Sequence, residues 1–282
     1  MRLPGGPRAH DVHRNGNLPV SKAFPWLLHQ LNKAQATVTS SPAAVIFDVE
    51  GTLIDCVPLV LESWRQTLDE AGHAFSVQDL HPYSGMDGSW MLERLLPTEP
   101  EKVRQQLLKD QGERYRTAFL PLARPFAGAH QVIEDLKGWG IAVGLATTCK
   151  SDELTAYDEH LRARGLADAI VCGEAVQHGK PDPALLRDCI SRLGIDDPAA
   201  AIAIGDTPYD AIAAGKAGIH SAGVLTGGFS RQALLAAGCE QVVDQLTAIA
   251  RFWRNEAGQH RAPIGARARA SRHLAATKPD RP

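Results

Sequence analysis

The chain has 282 residues, 44% hydrophobic and 22% charged, an ordinary mix for a soluble globular protein with material for one large α/β domain or two modest ones. The net charge of −2 is unevenly spread: residues 1–40 hold five Lys/Arg against Asp11, residues 251–282 hold eight against Glu256 and Asp280, and 41–250 keep 17 basic and 29 acidic residues, a net of −12. An acidic body argues against a nucleic-acid partner and suits carboxylates gathered around a divalent cation, and no stretch approaches the ~20 apolar residues of a membrane span.

Residues 1–40 read as an N-terminal extension. Met1 to Asn17 contains Arg, Pro and Gly but no apolar run resembling a signal peptide. The apolar patch from Phe24 to Leu31 fits a helix packed on the body and a loose arm equally well. Continuous apolar runs then recur at Ala43–Val49, Ile141–Ala146, Ala169–Cys172, Ala201–Ile204 and Ala222–Leu225, with a shorter one at Gln241–Val243. Runs of this kind, bounded by Gly and polar residues, predict strands buried on both faces.

Helical patterns separate them. Leu154, Tyr157 and Leu161 share one face of a predicted helix that Gly165 ends; Asp182 and Pro183 open another, burying Leu186, Cys189, Ile190 and Leu193 before Gly194. Strands alternating with helices predict an α/β fold with a doubly wound parallel sheet. From about Val57 to Ala127 the pattern is helical without a convincing strand. Val60, Trp64 and Leu68 align on a first helix closed by Gly72, and Thr98-Glu99-Pro100-Glu101 reads as a capping box for a helix through Ala118. The expected division is a core of 41–57 and 126–250, a small helical cap of 58–125, and a basic, disordered tail of 251–282. Cys56, Cys149, Cys172, Cys189 and Cys239 form no CxxC pair. They read as buried reduced thiols, which favours a cytoplasmic protein.

Four segments at predicted strand ends carry chemistry, because the carboxyl edge of an open parallel sheet is where distant residues meet. In Asp48-Val49-Glu50-Gly51-Thr52-Leu53, two acids at i and i+2 sit at the end of a buried run. That position is costly unless a metal or hydrogen bonds compensate, although an acid capping an ordinary loop has the same spacing. Thr147-Thr148 can cap the next helix or, with backbone N–H groups, hold an anion. Lys180, in Gly179-Lys180-Pro181-Asp182-Pro183, is either an inward point charge for phosphate or a surface residue. Gly205-Asp206-Thr207-Pro208-Tyr209-Asp210 repeats the acid at a strand end, with a second acid four residues on.

In that order, the four segments resemble the motifs of the haloacid dehalogenase-like superfamily across roughly 41–250, and the helical insert and Thr226-Gly227-Gly228-Phe229-Ser230 resemble its phosphoglycolate phosphatase-like branch. The resemblance implies hydrolysis of a small phosphate monoester through an aspartyl-phosphate on Asp48. It implies Mg²⁺ held by Asp48, the Glu50 backbone carbonyl and Asp206, with Asp210 orienting Lys180 or a water. Thr147, the Thr148 amide and Lys180 would hold the phosphoryl oxygens. Relatives usually carry Asp where this chain has Glu50, the residue expected to donate and then accept a proton. The cap, with eight Lys/Arg and ten acids between Leu59 and Pro125, suits a small phosphorylated metabolite, and its loop His81–Gly88 lies where relatives place their specificity loop. Two other readings share the pattern: a phosphomutase, and a non-catalytic phosphate-binding protein that kept the fold.

Overall fold

The computed structural model describes residues 42–249. The expectations for 1–40, the patch from Phe24 to Leu31 included, and for 251–282 lie outside them. Six strands form one parallel sheet: β1 (Ala44–Phe47), β4 (Ala142–Ala146), β5 (Ala169–Val171), β6 (Ala201–Gly205), β7 (His220–Val224) and β8 (Gln241–Val243), ordered β5-β4-β1-β6-β7-β8. All six predicted runs become strands.

Central β1 has no exposed residue because helices cover both faces. Val45 and Phe47 point into one core with Ile133 and Leu136 of α5 (Ala129–Gly138) and Leu154 and Leu161 of α6 (Ser151–Leu161). Ala44 and Ile46 point into a second with Leu186 and Cys189 of α7 (Ala184–Leu193) and Ala213 and Ala214 of α8 (Pro208–Ala217). Each fully buried Ile, Leu or Phe contributes about 1.5–3 kcal/mol of transfer free energy. A smaller cluster seats α9 (Arg231–Ala237) through Leu234.

Between β1 and β4 the chain forms α1 (Val57–Glu70), α2 (Val77–Leu80), α3 (Gly88–Leu95) and α4 (Glu101–Arg114). These four enclose their own core of Leu61, Trp64, Leu68, Leu80, Leu92 and Leu107. Three local expectations need correction here. The interval read as strand-free contains β3 (Arg124–Pro125), which pairs antiparallel with β2 (Ile54–Asp55) where the helical insert leaves and rejoins the sheet domain; two-residue strands are too short for a periodic signal. The Thr98 capping box does not form: Pro100 occupies the N-cap and has no side-chain oxygen, so Glu101 begins α4 instead of standing three residues inside it. The same helix widens after Arg114 into a π turn, Tyr115–Phe119, instead of running as an α-helix to Ala118.

Two helix ends also differ. The helix carrying Tyr157 stops at Leu161, four residues before Gly165, with Arg162 left-handed at φ 55°. Asp158 Oδ1 compensates by accepting from the Ala163 and Arg164 amides. At α7, Pro183 precedes the helix and Asp182 Oδ1 accepts from the Ala184 N–H at 2.9 Å. All five cysteines are free thiols. Among the described residues no helix is long and apolar enough to cross a membrane.

Candidate active site

Sheet register gathers three of the four segments, and Lys180 reaches them from the chain between β5 and α7. Phe47 lies opposite Leu145 of β4 and Ile204 of β6, so the next residues, Asp48, Ala146-Thr147 and Gly205-Asp206, leave the carboxyl edge side by side. Strand order reverses around β1, the position where open α/β sheets form a crevice. After Asp48 the chain turns tightly: the Leu53 and Ile54 amides both donate to Val49 O, and Gly51 takes φ +83°. A Cβ on Gly51 would stand 2.4 Å from Asp206 Oδ2, so this turn needs glycine for conformation and for clearance alike.

Lys180 Nζ lies 2.5 Å from Asp48 Oδ1 and 2.6 Å from Asp210 Oδ1. Asp210 Oδ2 accepts from the Thr207 hydroxyl at 2.6 Å and amide at 3.1 Å. Asp206 is fully buried; its Oδ1 accepts from Thr52 Oγ1 at 2.7 Å and its Oδ2 has no partner. Burial pushes the Asp206 carboxyl well above the usual range, with Asp210 and Asp48 adding to the rise. Burial likewise raises Asp48 to about 6, against the pull of Lys180. For Lys180 burial opposes the charge, but Asp210 and Asp48 outweigh it and its pKa rises. The site thus packs three carboxylates against one ammonium.

Oxygens of Asp48, Asp206 and Asp210 lie within 4.8 Å of one another, so the triad could hold a divalent cation. Hard oxygen donors in excess negative charge, one of them orphaned and buried, fit such an ion. Gly227 closes the site from the far side: a Cβ there would stand 1.9 Å from Asp206 Oδ2. Gly227→Ala is therefore expected to displace that carboxylate and raise the divalent-cation concentration needed for half-maximal binding by about tenfold or more. Calorimetric titration checks this, and an unchanged isotherm would remove Asp206 Oδ2 from the ion's reach.

Thr147 is fully buried and its Oγ1 accepts from the Cys149 amide at 3.2 Å, so it shapes the turn into α6; Thr148 lines the cavity. Glu50 is half-buried. Its Oε1 accepts from the Tyr157 hydroxyl at 2.7 Å, and the Tyr115 hydroxyl lies 2.5 Å from that of Tyr157. Burial, reinforced by Glu153, pushes the Glu50 carboxyl up to about 8 although the Tyr157 bond opposes the rise. Arg116 Nη1 sits 3.4 Å from Glu153 Oε1. Sequence reasoning brought forward Asp48, Glu50, Thr147, Thr148, Lys180, Asp206 and Asp210, and the fold brings all seven to one sheet edge. It missed Tyr115, Tyr157, Arg116 and Glu153; the only signal was the inward spacing of Tyr157, which an ordinary core aromatic shares.

A cavity of about 240 Å³ opens here, lined by Asp48, Glu50, Thr148 and Lys180 from the sheet side and by Trp64, Met91, Leu108 and Arg116 from the helical insert. The His81–Gly88 loop closes over it. Asp87 Oδ2 accepts from the Gly179 amide at 2.8 Å, the Asp87 amide donates to Lys180 O at 3.0 Å, and His81 Nε2 is 2.8 Å from Gly227 O.

Residues 45–224 match the haloacid dehalogenase-like hydrolase family. This chain belongs to that family. The hydrolase is 30% identical over 182 residues to the pyrophosphatase PpaX of Bacillus velezensis, covering 64% of this chain and 82% of that one. It is 31% identical over 193 residues to the phosphoglycolate phosphatase of Neisseria meningitidis, covering 65% and 80%. A hydrolase from Pseudomonas syringae of known structure superposes with a TM-score of 0.71 at 24% identity, over 76% of this chain and 98% of the other. That neighbour supports the fold, a parallel sheet with flanking helices.

Proposed function

We propose that this hydrolase is an Mg²⁺-dependent, cytoplasmic phosphatase that cleaves a small phosphate monoester through a covalent intermediate on Asp48. The observation that carries the proposal is the buried Asp48–Lys180–Asp210 chain beside Asp206, whose second oxygen is unpartnered. A carboxylate gripped by a lysine is held in one orientation at the cavity floor, as a nucleophile must be.

In the first step an Asp48 oxygen attacks phosphorus, the bond from phosphorus to the ester oxygen breaks, and Glu50 gives that oxygen its proton. In the second, water attacks phosphorus, Glu50 takes the water's proton, and the Asp48–phosphorus bond breaks to release inorganic phosphate. Lys180 balances charge on the transferring group and holds Asp48, Asp210 holds Lys180, and Thr147 with the Thr148 amide receives phosphoryl oxygens. Mg²⁺, held by Asp48, Asp206 and the Glu50 carbonyl with Asp210 alongside, would neutralise the repulsion between anionic nucleophile and anionic ester. Residues 58–125 act as the cap that selects the ester. Their largely apolar wall of Trp64, Met91 and Leu108, interrupted by Arg116, suits a small leaving group of modest charge.

A screen of small phosphate monoesters with Mg²⁺ tests the reading. Phosphate release from at least one ester is expected, silenced by EDTA and restored by Mg²⁺. Protein that binds Mg²⁺ and phosphate yet releases none from any ester would overturn it. Asp206→Asn removes a charged donor and is expected to raise the half-saturating Mg²⁺ concentration by about tenfold or more, with activity partly recovered at high Mg²⁺; an unshifted titration would place the ion elsewhere.

A further inference from the structure

We infer that Tyr157 and Tyr115 are positioning residues for Glu50, forming a phenol relay that lets a glutamate serve where a shorter aspartate is usual. The inference rests on the reading of Glu50 as proton donor and acceptor.

Hydrogen-bond arithmetic sets the direction of the relay. Tyr157 donates to Glu50 Oε1, an oxygen that accepts whether or not the carboxyl carries its proton on Oε2. A phenol has one proton, so the 2.5 Å contact between the two hydroxyls is filled by Tyr115 donating to the Tyr157 oxygen. Both tyrosines are almost wholly buried, at 3% and 2% exposure, where an unpaired hydroxyl is costly. The chain of bonds thus satisfies the hydroxyls and fixes the carboxyl in one arrangement.

Glutamate needs that restraint. It has one more rotatable bond than aspartate, and a proton-transfer group must stay within a fraction of an ångström of its productive place. Anchoring Oε1 locks the side-chain rotamer and leaves Oε2 as the oxygen free to exchange a proton in the cavity. A carboxyl at position 50 shortened by one methylene would fall short of the Tyr157 hydroxyl, so the relay serves glutamate alone.

The two phenols come from different parts of the molecule. Tyr157 projects from α6 of the sheet domain, while Tyr115 opens the π turn that ends the insert's last helix. π turns of this kind recur at functional sites because the extra residue re-aims a side chain. Placement of Glu50 therefore depends on seating of the cap. Glu153, which neighbours Glu50, is itself held by Arg116 from the same π turn.

A double-mutant cycle with p-nitrophenyl phosphate and Mg²⁺ tests the relay. In the wild-type background, Tyr157→Phe is expected to lower kcat about 10–100-fold, a part of what a well-placed acid–base contributes, with KM within about twofold. It should also produce a burst of nitrophenolate, since this leaving group departs without a proton while breakdown of the phospho-enzyme is slowed. Tyr115→Phe should cost less but in the same direction. In the Glu50→Asp background, Tyr157→Phe is expected to cost under about threefold, a coupling typical of groups in contact. An equal fold cost in both backgrounds, or wild-type kcat for Tyr157→Phe at an unchanged melting temperature, overturns the inference. Should Tyr157→Phe lose its cooperative melting transition, Tyr115→Phe carries the same comparison and equal costs there overturn it. Glu50→Gln separates the two levels: unimpaired Glu50→Gln removes the acid–base reading, whereas impaired Glu50→Gln with unimpaired Tyr157→Phe removes the relay alone.

Discussion

Asp48→Asn is expected to lower turnover by at least ~10³-fold, the scale seen when a covalent nucleophile is removed, with the fold intact. The amide is nearly isosteric and keeps an oxygen for Lys180 Nζ, which lies 2.5 Å from Asp48 Oδ1. It also removes one negative charge from a buried group in which burial and Asp210 already raise the Asp48 carboxyl to about 6. Relief of that repulsion offsets the weaker bond to lysine, so the melting temperature should not fall. What is lost is nucleophilicity. Retention of a tenth of wild-type phosphate release, at normal thermal stability, would rule out Asp48 as the attacking group.

Glu50→Gln separates the two chemical steps. Asp48 remains, and the glutamine carbonyl still accepts from Tyr157, so the tyrosine pair keeps its hydrogen bonds. The transferable proton is gone. Esters with a poor leaving group, such as alkyl phosphates, should lose ~10²–10⁴-fold in turnover. An aryl phosphate needs no proton on its leaving oxygen, so phosphorylation of Asp48 should be far less impaired. Hydrolysis of the phospho-enzyme still requires a base to activate water, so phospho-enzyme should accumulate and rapid mixing should record a burst of nitrophenolate. Losses of equal size on alkyl and aryl esters, with no burst, would give Glu50 a structural role.

Much of the architecture was legible because burial on both faces forces a strand to be apolar throughout. Ala43–Val49 and Ala201–Ile204 could hardly belong anywhere except the middle of a covered sheet, and they pair there as β1 and β6. The candidate site was legible from the order of its four segments, which resembles the haloacid dehalogenase-like motifs. Asp48 and Asp206 are acids placed directly after such runs, where only a compensating partner or ion makes burial tolerable. Local chemistry failed where several local solutions were available. Thr98 has the sequence of a cap, yet Pro100 sets the start of α4. Gly165 offers a stop, yet Asp158 captures the amides after Leu161 earlier in the chain.

Sequence by itself determined the class of fold, which follows from periodicity, and the order of the four segments, whose resemblance to the haloacid dehalogenase-like motifs singled out the seven residues that converge on the sheet edge. Only the tertiary structure decided what surrounds Glu50. Tyr157 stands 107 residues from Glu50 and 42 from Tyr115 along the chain, and inward spacing on a helix reads the same for a phenol in an ordinary core and for one that ends on a carboxylate. The difference lies in a hydroxyl's partner, which is chosen by how α6 and the π turn after α4 pack around the turn that follows β1.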